Sequence, residues 1–161
     1  MTKELAYPYV AAYKSGSSTI TTLTTTNVLF PTLLTSDPYG MLQAGGDRFL
    51  IPMDGTYIIA AALHWNGETT VQTQNYRQIT IQIDFTGTNT AYGSYAHDIV
   101  QPVTAIGTDM IQHVSRTYPL TKGTLVRVVC VSKSTGSANV TLFGSGNTRI
   151  GIAMIPGKVT S

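Results

Sequence analysis

Charged side chains are scarce in this sequence of 161 residues. Aspartate, glutamate, lysine and arginine together make up 11% of the chain, where about a quarter is usual in soluble globular domains. The net charge is only +2, and the basic residues are scattered between positions 3 and 158 instead of forming a stripe. Because a nucleic-acid surface needs clustered basic residues, the sequence predicts no nucleic-acid partner.

Cysteine and long apolar runs are also lacking. The single cysteine, Cys130, lies inside the apolar run 125–131 and reads as a small buried hydrophobe. One cysteine excludes an intrachain disulfide, so the sequence does not indicate an oxidising compartment. No apolar run has the length of a signal peptide or of a membrane span. We therefore expect no signal peptide and no membrane partner.

Residue patterns that support catalysis are missing as well. His64, His97 and His113 are far apart in sequence and have none of the short spacings of metal ligands. The aspartates mostly stand beside glycine or proline, where turn chemistry explains them, although a calcium site built from several loops stays open. No nucleophile has a base or an acid at catalytic spacing. We expect no enzyme, no catalytic residue, no metal site and no cofactor.

The residues that are abundant favour strands. Roughly one residue in six is threonine, which is typical of β-strands together with tyrosine, valine and isoleucine. Hydrophobic residues make up 42% of the chain, enough for a packed core. The sequence predicts a single all-β domain over residues 9–157, with an N-terminal arm over 1–8 and a C-terminal tail over 158–161.

Short strands separated by turn residues account for most of the chain. In segment 77–85, Ile79, Ile81, Ile83 and Phe85 alternate with polar residues, which predicts one buried face. Residues 37–40, "DPYG", have the residues of a type I turn. The other expected strands are 9–13, 28–30, 41–43, 49–52, 56–65, 91–100, 109–118, 125–132, 140–143 and 148–155. This spacing is typical of a sandwich or a barrel.

Segments 56–65 and 149–155 are apolar on both of their faces. A strand of this kind needs cover on each side, and the sequence offers no helix to supply it. Two arrangements provide the cover: an oligomer interface, or a core strand in a closed barrel. Several residues on these strands are small, as a close approach between subunits requires, namely Ala60, Ala62, Gly151 and Ala153.

Three stretches resemble the tumour-necrosis-factor-like, or complement globular-head-like, jelly roll. They are "FLIPMDGTYIIAAALHW" at 49–65, "MIQHVSRTYPLTKGTLVRVVCVSKS" at 110–134 and "TRIGIAMIP" at 148–156. The sequence departs from the family at Gly123-Thr124, where many members have Gly-Asp, and at Arg149-Ile150, where an aromatic residue is expected. The resemblance implies an antiparallel jelly-roll β-sandwich that forms a homotrimer.

In that family the strand after Gly-x-Tyr lies mid-sheet beside the terminal strand, and the sheet faces a threefold axis. The resemblance therefore implies that one face of segment 56–65 fills the core while the other meets two sister subunits. The residues expected at this trimer interface are Ile58, Ala60, Ala62, His64, Gly151 and Ala153.

The threonine-rich, low-charge composition fits phage and bacterial versions of this jelly roll better than the secreted animal ones. We expect a virion structural protein: a trimeric phage capsid decoration, or cement, protein on the outer head surface. Its partners are itself and the major capsid protein or another virion component, and it joins the virion in the host cytoplasm. The alternative is the receptor-binding tip domain of a phage tail fibre, and a bacterial surface or spore protein comes third.

The decoration role is preferred over the fibre tip because only eight residues precede the first expected strand, whereas a fibre tip usually follows a shaft. Residues 1–8 are expected to reach out to the particle surface, since Pro8 is unsuited to the middle of a sheet. Lys3, Leu5, Tyr7 and Tyr9 are the expected capsid-binding residues. The alternative is a frayed terminus without a role.

Overall fold

The computed structural model describes residues 7–66, 76–100, 109–133, 139–144 and 146–156. Regular structure in these residues is β-strand, and none of them belongs to a helix that is long and apolar enough to span a membrane. The twelve strands are β1 (Tyr9–Tyr13), β2 (Ser18–Thr21), β3 (Thr26–Asn27), β4 (Thr32–Leu33), β5 (Phe49–Leu50), β6 (Gly55–Trp65), β7 (Tyr76–Asp84), β8 (Gly93–Val100), β9 (Met110–Leu120), β10 (Leu125–Lys133), β11 (Asn139–Leu142) and β12 (Arg149–Ile155).

The strands form two antiparallel sheets that stack into a sandwich. In sheet I, β2, β11, β6, β12, β1 and β4 follow one another, and β9 pairs along the other edge of β6. In sheet II the order is β3, β10, β7 and β8, with β5 also on β10. Neighbouring strands are often distant in sequence, as β1 and β12 are, because the chain crosses between the sheets. The predicted antiparallel jelly-roll sandwich is confirmed, and the closed barrel is not what the described strands form.

Strand β6 supplies one side of the core. Its odd-numbered side chains Tyr57, Ile59, Leu63 and Trp65 are fully buried. Successive side chains of a strand point to opposite faces, so the even-numbered ones point out of the sandwich. Each large apolar side chain buried in this way stabilises the fold by about 1.5–3 kcal/mol.

Sheet II supplies the opposite side of the core, although the predicted pattern of β7 fails at its end. Ile79, Ile81 and Ile83 are fully buried, as expected. Phe85 was expected on the same face, but it is 47% exposed, while Asp84 is fully buried. The reason is that β7 ends at Asp84, and the following loop folds over the Asp84 carboxylate.

The segment predicted as a strand over 28–30 alternates as a strand should, but it lacks a continuous ladder. Val28 and Phe30 are buried and Leu29 is exposed. The Val28 N–H donates to the Val128 carbonyl at 2.9 Å, whereas the Phe30 N–H donates to the Gly46 carbonyl at 2.8 Å. Because these partners lie in different segments, regular pairing is limited to the short strands β3 and β4 on either side.

The turn predicted at residues 37–40 is present. The Gly40 N–H donates to the Asp37 carbonyl at 3.2 Å, and the Asp37 carboxylate accepts the N–H groups of Met41 and Leu42 at 2.9 and 2.8 Å. With these donors occupied, the strand expected over 41–43 is reduced to a single bridge between Leu42 and Phe49.

The packed domain includes Pro8, which the sequence placed in the arm. Pro8 is buried, and its carbonyl accepts a hydrogen bond of 2.8 Å from the Met154 N–H, which continues the pairing of β1 with β12. Proline is tolerated here because a strand end needs its carbonyl but not an N–H group. Residues 1–6 and the tail 158–161 lie outside the described residues, so the rest of the predicted division stays a prediction.

A buried polar cluster lies at the end of the core where β6 ends. The Trp65 Nε1–H donates to the Gln112 side chain at 3.2 Å, and the Gln112 amide donates to the carbonyls of Arg77 and Asp98 at 3.3 and 2.7 Å. The buried Arg77 guanidinium lies 5.7 Å from the centre of the Trp65 ring. These bonds link both sheets, since Arg77 and Asp98 belong to sheet II.

Two neighbouring glycines allow a direct test of the packing around Phe30. Gly45 and Gly46 both have positive φ, at 89° and 70°. A Cβ at Gly46 would lie 2.8 Å from the backbone of Phe30 and Pro31, whereas one at Gly45 meets nothing within 4 Å. We expect Gly45→Ala to cost about 1 kcal/mol of unfolding free energy, for the left-handed backbone alone. Gly46→Ala should cost about 2–4 kcal/mol, because the backbone clash adds to that strain.

Urea unfolding of the two variants and the parent chain measures this difference. Equal losses for both alanine variants would contradict the close approach of Gly46 to the Phe30–Pro31 backbone.

Candidate functional site

The outer face of sheet I, formed by β9, β6, β12 and β1, is the first candidate site. Directly paired residues of an antiparallel sheet lie on the same face, so the register sets out the side chains in rows. The three central rows are Thr117–Ile58–Ala153–Tyr9, Ser115–Ala60–Gly151–Ala11 and His113–Ala62–Arg149–Tyr13.

A shallow depression lies at the centre of this outer face. Its floor is made of Ala11, Ala60, Ala62 and Gly151, which carry at most a methyl group, and its volume is about 450 Å³. Leu34, whose N–H is bonded to the Ala11 carbonyl, stands at the β1 side of the rim. The depression therefore follows from four small residues in adjacent register positions.

Large apolar side chains surround the depression without being buried. Ile58 is 41% exposed and Tyr9 is 44% exposed, and Ile111 and Ile155 are similarly accessible. Clustered exposed apolar residues around a concave surface are typical of an interaction site. The arrangement fits a contact surface for another macromolecule.

His64 lies at the β9 side of the outer face, close to the end of β6. Its Nε2 is 3.4 Å from the Asp109 carboxylate, and its ring centre is 4.9 Å from that of Phe143. The His64 side chain is 18% exposed. His64 was predicted at the trimer interface, and it lies partly buried on the outer face near the end of β6.

All six residues predicted for the trimer interface lie on the outer face. Ile58 pairs with Ala153 and Ala60 pairs with Gly151, while Ala62 and His64 follow on β6. Ala62 is already buried by its neighbours within the protomer, at 4% exposure. The structure thus brings the six residues together, and their contact with a second subunit stays a prediction.

The residues predicted for the capsid-binding arm separate into two groups. Tyr9 is part of β1, where it pairs with Ala153, so it belongs to the outer face. Tyr7 is exposed just before the buried Pro8. Lys3 and Leu5 lie outside the described residues.

Sequence reasoning missed several residues of the outer face, namely Ala11, Tyr13, Leu34, His113, Ser115 and Arg149. Their own alternation shows only that one side of each strand is exposed. Their place beside Ala60 and Ala62 depends on the pairing of β1 and β9 with the central strands. His113 was expected at the surface and is exposed. A sign in the sequence that segments 9–13 and 149–155 form neighbouring strands would have located these residues.

The described parts of the chain contain no cluster of three or more histidine, cysteine or carboxylate side chains. Burial raises the pKa of Cys130 to about 12, so its thiol is protonated at neutral pH. Lys14 lies nearby, and burial lowers its pKa.

The loop after β7 is the second candidate site. Hydrogen bonds to Asp84 hold this loop in one conformation. The buried Asp84 carboxylate accepts the Thr86 hydroxyl at 2.5 Å, the Thr86 N–H at 2.8 Å, the Thr90 N–H at 3.2 Å and the Ala91 N–H at 3.4 Å. These bonds favour the ionised form, and the Thr86 hydroxyl contributes most to lowering the pKa of Asp84. The loop is therefore tied to the carboxylate at both of its ends.

Hydroxyl groups line the exposed part of this loop. The Thr86 and Thr88 hydroxyls are 2.7 Å apart, and the Thr88 and Thr90 hydroxyls are 2.8 Å apart. The Asn89 side-chain oxygen Oδ1 accepts a hydrogen bond from the Tyr92 hydroxyl at 2.8 Å, and Asn89 itself has a φ of 64°. The loop presents an ordered row of neutral polar groups.

Comparison with known proteins shows a likeness in fold. No protein-family model matches the chain, and no curated protein matches it. Among solved structures, the crystal structure of murine APRIL at pH 5.0 matches with a TM-score of 0.67 over 93% of this chain and 100% of that chain. The chain has a tumour-necrosis-factor-like jelly-roll fold. At 14% sequence identity, the likeness extends to the fold alone.

The bonds to Asp84 predict how stability depends on pH. The folded-state pKa of Asp84 lies below the unfolded value of about 3.9. The stabilisation is therefore complete above about pH 4 and is lost as the pH falls through the lower, folded-state pKa. We expect Asp84→Asn to lower the Tm at pH 7, because an amide nitrogen cannot accept these N–H and O–H donors. Thermal melts from pH 7 to pH 2.5 should show the two Tm values converging in acid. A constant difference across this range would contradict the assignment.

Proposed function

We propose that the chain is a virion structural protein, a homotrimeric phage capsid decoration (cement) protein that sits on the outer surface of the head. The observation that carries the proposal is the outer face of sheet I, where an apolar, small-residue surface lies at the centre of the molecule's main sheet. The proposal has two steps, which are trimerisation through this face and attachment to a capsid.

Trimerisation is supported by the contrast between the two sheets. The outer face of sheet II carries hydrogen-bonded polar side chains beside the exposed Ile99. The Arg127 Nε–H donates to the Gln82 side chain at 2.9 Å, and the Gln82 amide donates to the Ser94 hydroxyl at 3.4 Å. The outer face of sheet I instead presents Ile58 and Ala60. The polar outer face of sheet II is well hydrated. Covering the apolar outer face of sheet I removes apolar area from water and is therefore favourable.

The shape of the outer face favours a second copy of the same chain as its cover. Small residues at the centre let backbones approach closely, and the large side chains around them supply apolar area. The resemblance to the tumour-necrosis-factor-like jelly roll implies that this sheet faces a threefold axis. A cyclic trimer covers all three outer faces at once.

Attachment to the capsid is proposed for residues 1–7, with Lys3, Leu5 and Tyr7 as contacts. Because Pro8 is bonded to Met154, this segment leaves the domain beside the end of β12. In a cyclic trimer the three N-terminal segments leave at the same end of the trimer. Three weak contacts made together hold far more strongly than one. The partner is the major capsid protein or another virion component.

The receptor-binding tip of a phage tail fibre is the second candidate. It is favoured by the rigid loop after β7, in which Asp84 orders an exposed row of threonine hydroxyls. Recognition loops on a stable scaffold have this character. The two candidates differ in where the protein lies on the virion.

Substitutions on adjacent positions of β6 test trimerisation. We expect the parent chain to sediment at three times the 17.3 kDa chain mass. Ala60→Phe should yield a folded monomer, because the side chain points out of the sandwich into the proposed contact. Ala61→Phe is the matched control: Ala61 is 4% exposed in the core, and overpacking there should lower stability by about 1–3 kcal/mol. Analytical ultracentrifugation and thermal melts separate the outcomes. A parent chain that is monomeric at micromolar concentration would exclude the proposed trimer.

Electron microscopy of purified virions with gold-labelled antibodies tests the location. We expect label distributed over the head, since a decoration protein binds many equivalent positions. Label confined to the tail fibre tips would support the second candidate, and unlabelled virions would exclude both.

Re-addition to undecorated capsids tests the attachment segment. We expect a chain lacking residues 2–7 to remain trimeric, because Pro8 and β1 are kept. We expect it to lose capsid binding, because the proposed contact residues are removed. Ala60→Phe, tested in the same assay, keeps the arm but is expected to be monomeric. The two variants together therefore separate loss of the arm from loss of avidity. Equal decoration by the truncated and full chains would move the attachment away from the N-terminal segment.

A further inference from the structure

We propose that the edge of the sandwich beside the loop after β7 is a binding site for an uncharged oligosaccharide. The site combines an exposed aromatic surface with a neutral, ordered rim of hydroxyl and amide groups. It is formed by β8, the loop and the end of β9, so it does not use the centre of the outer face. The proposal goes beyond the virion role and does not rest on it.

Three aromatic rings form the edge platform, which we define as Phe85, Tyr95 and Tyr118. The ring centres of Phe85 and Tyr95 are 5.3 Å apart, and those of Tyr95 and Tyr118 are 5.8 Å apart, with near-perpendicular planes of 85° and 81°. Phe85 is 47% exposed and Tyr95 is 42% exposed. Each ring supports the next in a favourable edge-to-face contact. A large part of the aromatic surface is left in contact with solvent.

The platform is held in place before any ligand binds. Tyr95 is the extra residue of a bulge in β8, because Ala96 pairs with Ile81 while Ser94 pairs with Gln82. A bulge of this kind turns a side chain away from the regular face of the sheet. The Tyr118 hydroxyl donates to the Tyr95 carbonyl and links β9 to this bulge. Rings fixed in this way lose little conformational entropy on binding.

Gly93 also shapes the platform. A Cβ at Gly93 would lie 2.7 Å from the Tyr95 ring and 3.0 Å from its hydroxyl. The Tyr95 ring therefore lies over the backbone of β8, and Tyr95 is still 42% exposed. Sugar rings carry patches of C–H groups that pack on such electron-rich aromatic surfaces.

The rim of the platform is polar and uncharged. Phe85 is followed directly by the loop with its row of hydroxyls, and Tyr95 is preceded by Ser94. From Phe85 to Ala96 the sequence contains no aspartate, glutamate, lysine, arginine or histidine, and the Asp84 carboxylate is buried under the loop. Hydroxyl and amide groups both donate and accept hydrogen bonds, as sugar hydroxyls do. The match favours a neutral oligosaccharide over a phosphorylated or acidic ligand.

The nearest arginines do not change this assignment. The Arg127 guanidinium lies 3.7 Å from the centre of the Tyr92 ring and donates to the Gln82 side chain, so it is engaged within sheet II. Arg116 precedes Tyr118 by two residues on β9 and is exposed. A protein partner is the other occupant to consider, but protein contact centres favour clustered aromatic and arginine side chains in a desolvated pocket. Here the rim consists of hydroxyl groups.

Solution NMR of the full chain, in the oligomeric state in which it is purified, tests the site. The probes are a panel of uncharged hexose, deoxyhexose and N-acetylhexosamine oligosaccharides, with oligogalacturonate as the anionic comparison. We expect at least one uncharged member to bind with a dissociation constant on the order of 1 mM or tighter, shifting amide signals of residues 84–95 and 118. Phe85→Ala and Tyr95→Ala should each weaken binding roughly tenfold, through loss of ring contact.

Two variants serve as controls. Leu29→Ala removes an apolar side chain of similar exposure, 44%, outside the platform and should leave binding unchanged. Tyr95→Phe keeps the ring and should bind as the parent does. If Tyr95→Ala does not fold, Phe85→Ala and Thr88→Ala, both at exposed positions, still decide the question.

Several results would overturn the proposal. They are no shift at the platform from any uncharged probe, equal binding by the parent and Phe85→Ala, or binding of oligogalacturonate alone. Protection of Tyr95 from solvent by another copy of the chain would also overturn it, and would assign this edge to an interface. Apart from protection by another copy, these results do not bear on whether the chain is a trimer or lies on a capsid.

Discussion

Pairing on both edges of β6 is the constraint from which the outer surface of sheet I follows. The strand is bonded to β9 along its whole length and to β12 over residues 56–62. Its side chains can therefore point only into the sandwich or away from it. Tyr57, Ile59, Leu63 and Trp65 take the first direction and fill the core. Ile58, Ala60 and Ala62 take the second direction, so the middle of β6 presents an apolar surface. The polar side chains of His113, Ser115 and Thr117 on β9 lie beside it.

The molecule separates two kinds of surface. Sheet I presents small residues ringed by large apolar ones, a shape suited to extended contact with another surface. The far edge of sheet II presents a few fixed aromatic rings beside neutral polar groups, a shape suited to a compact ligand. Both are rigid for the same reason, since each is backed by buried residues: Ile59 and Leu63 under the first, Ile83 and Asp84 under the second.

Much of the outer face could be predicted from the sequence, because its signal is local. Apolar residues on both faces of segment 56–65 and small residues in 149–155 indicated strands that need cover on both sides. The family resemblance then implied that Ile58, Ala60 and Gly151 lie at an interface, while the sequence itself did not decide which face meets the axis. The strand boundaries of β1, β6 and β12 were found within one residue of those predicted. Strand patterns depend only on residues that are neighbours in sequence, so they can be recognised without knowledge of the fold.

Features that depend on distant segments could not be predicted. Tyr9 was predicted in strand 9–13 and also as a capsid-binding residue. Its place on the outer face depends on its partner Ala153, which lies at the other end of the chain. Phe85 was assigned to the core because the pattern of β7 gave no sign that the strand stops at Asp84. The contact between Phe85 and Tyr95 depends on the bulge in β8, which strand propensity does not encode.

The burial of Cys130 has a practical consequence for chemical labelling. The chain has a single cysteine, and its thiol is enclosed between the sheets with a pKa of about 12. Thiolate is the form that reacts with maleimides and with disulfides. The native protein is therefore unreactive toward such reagents. A cysteine introduced at any exposed position becomes the only reactive thiol. A fluorophore, a spin label or a crosslinker can be placed on either candidate surface without first removing the native residue.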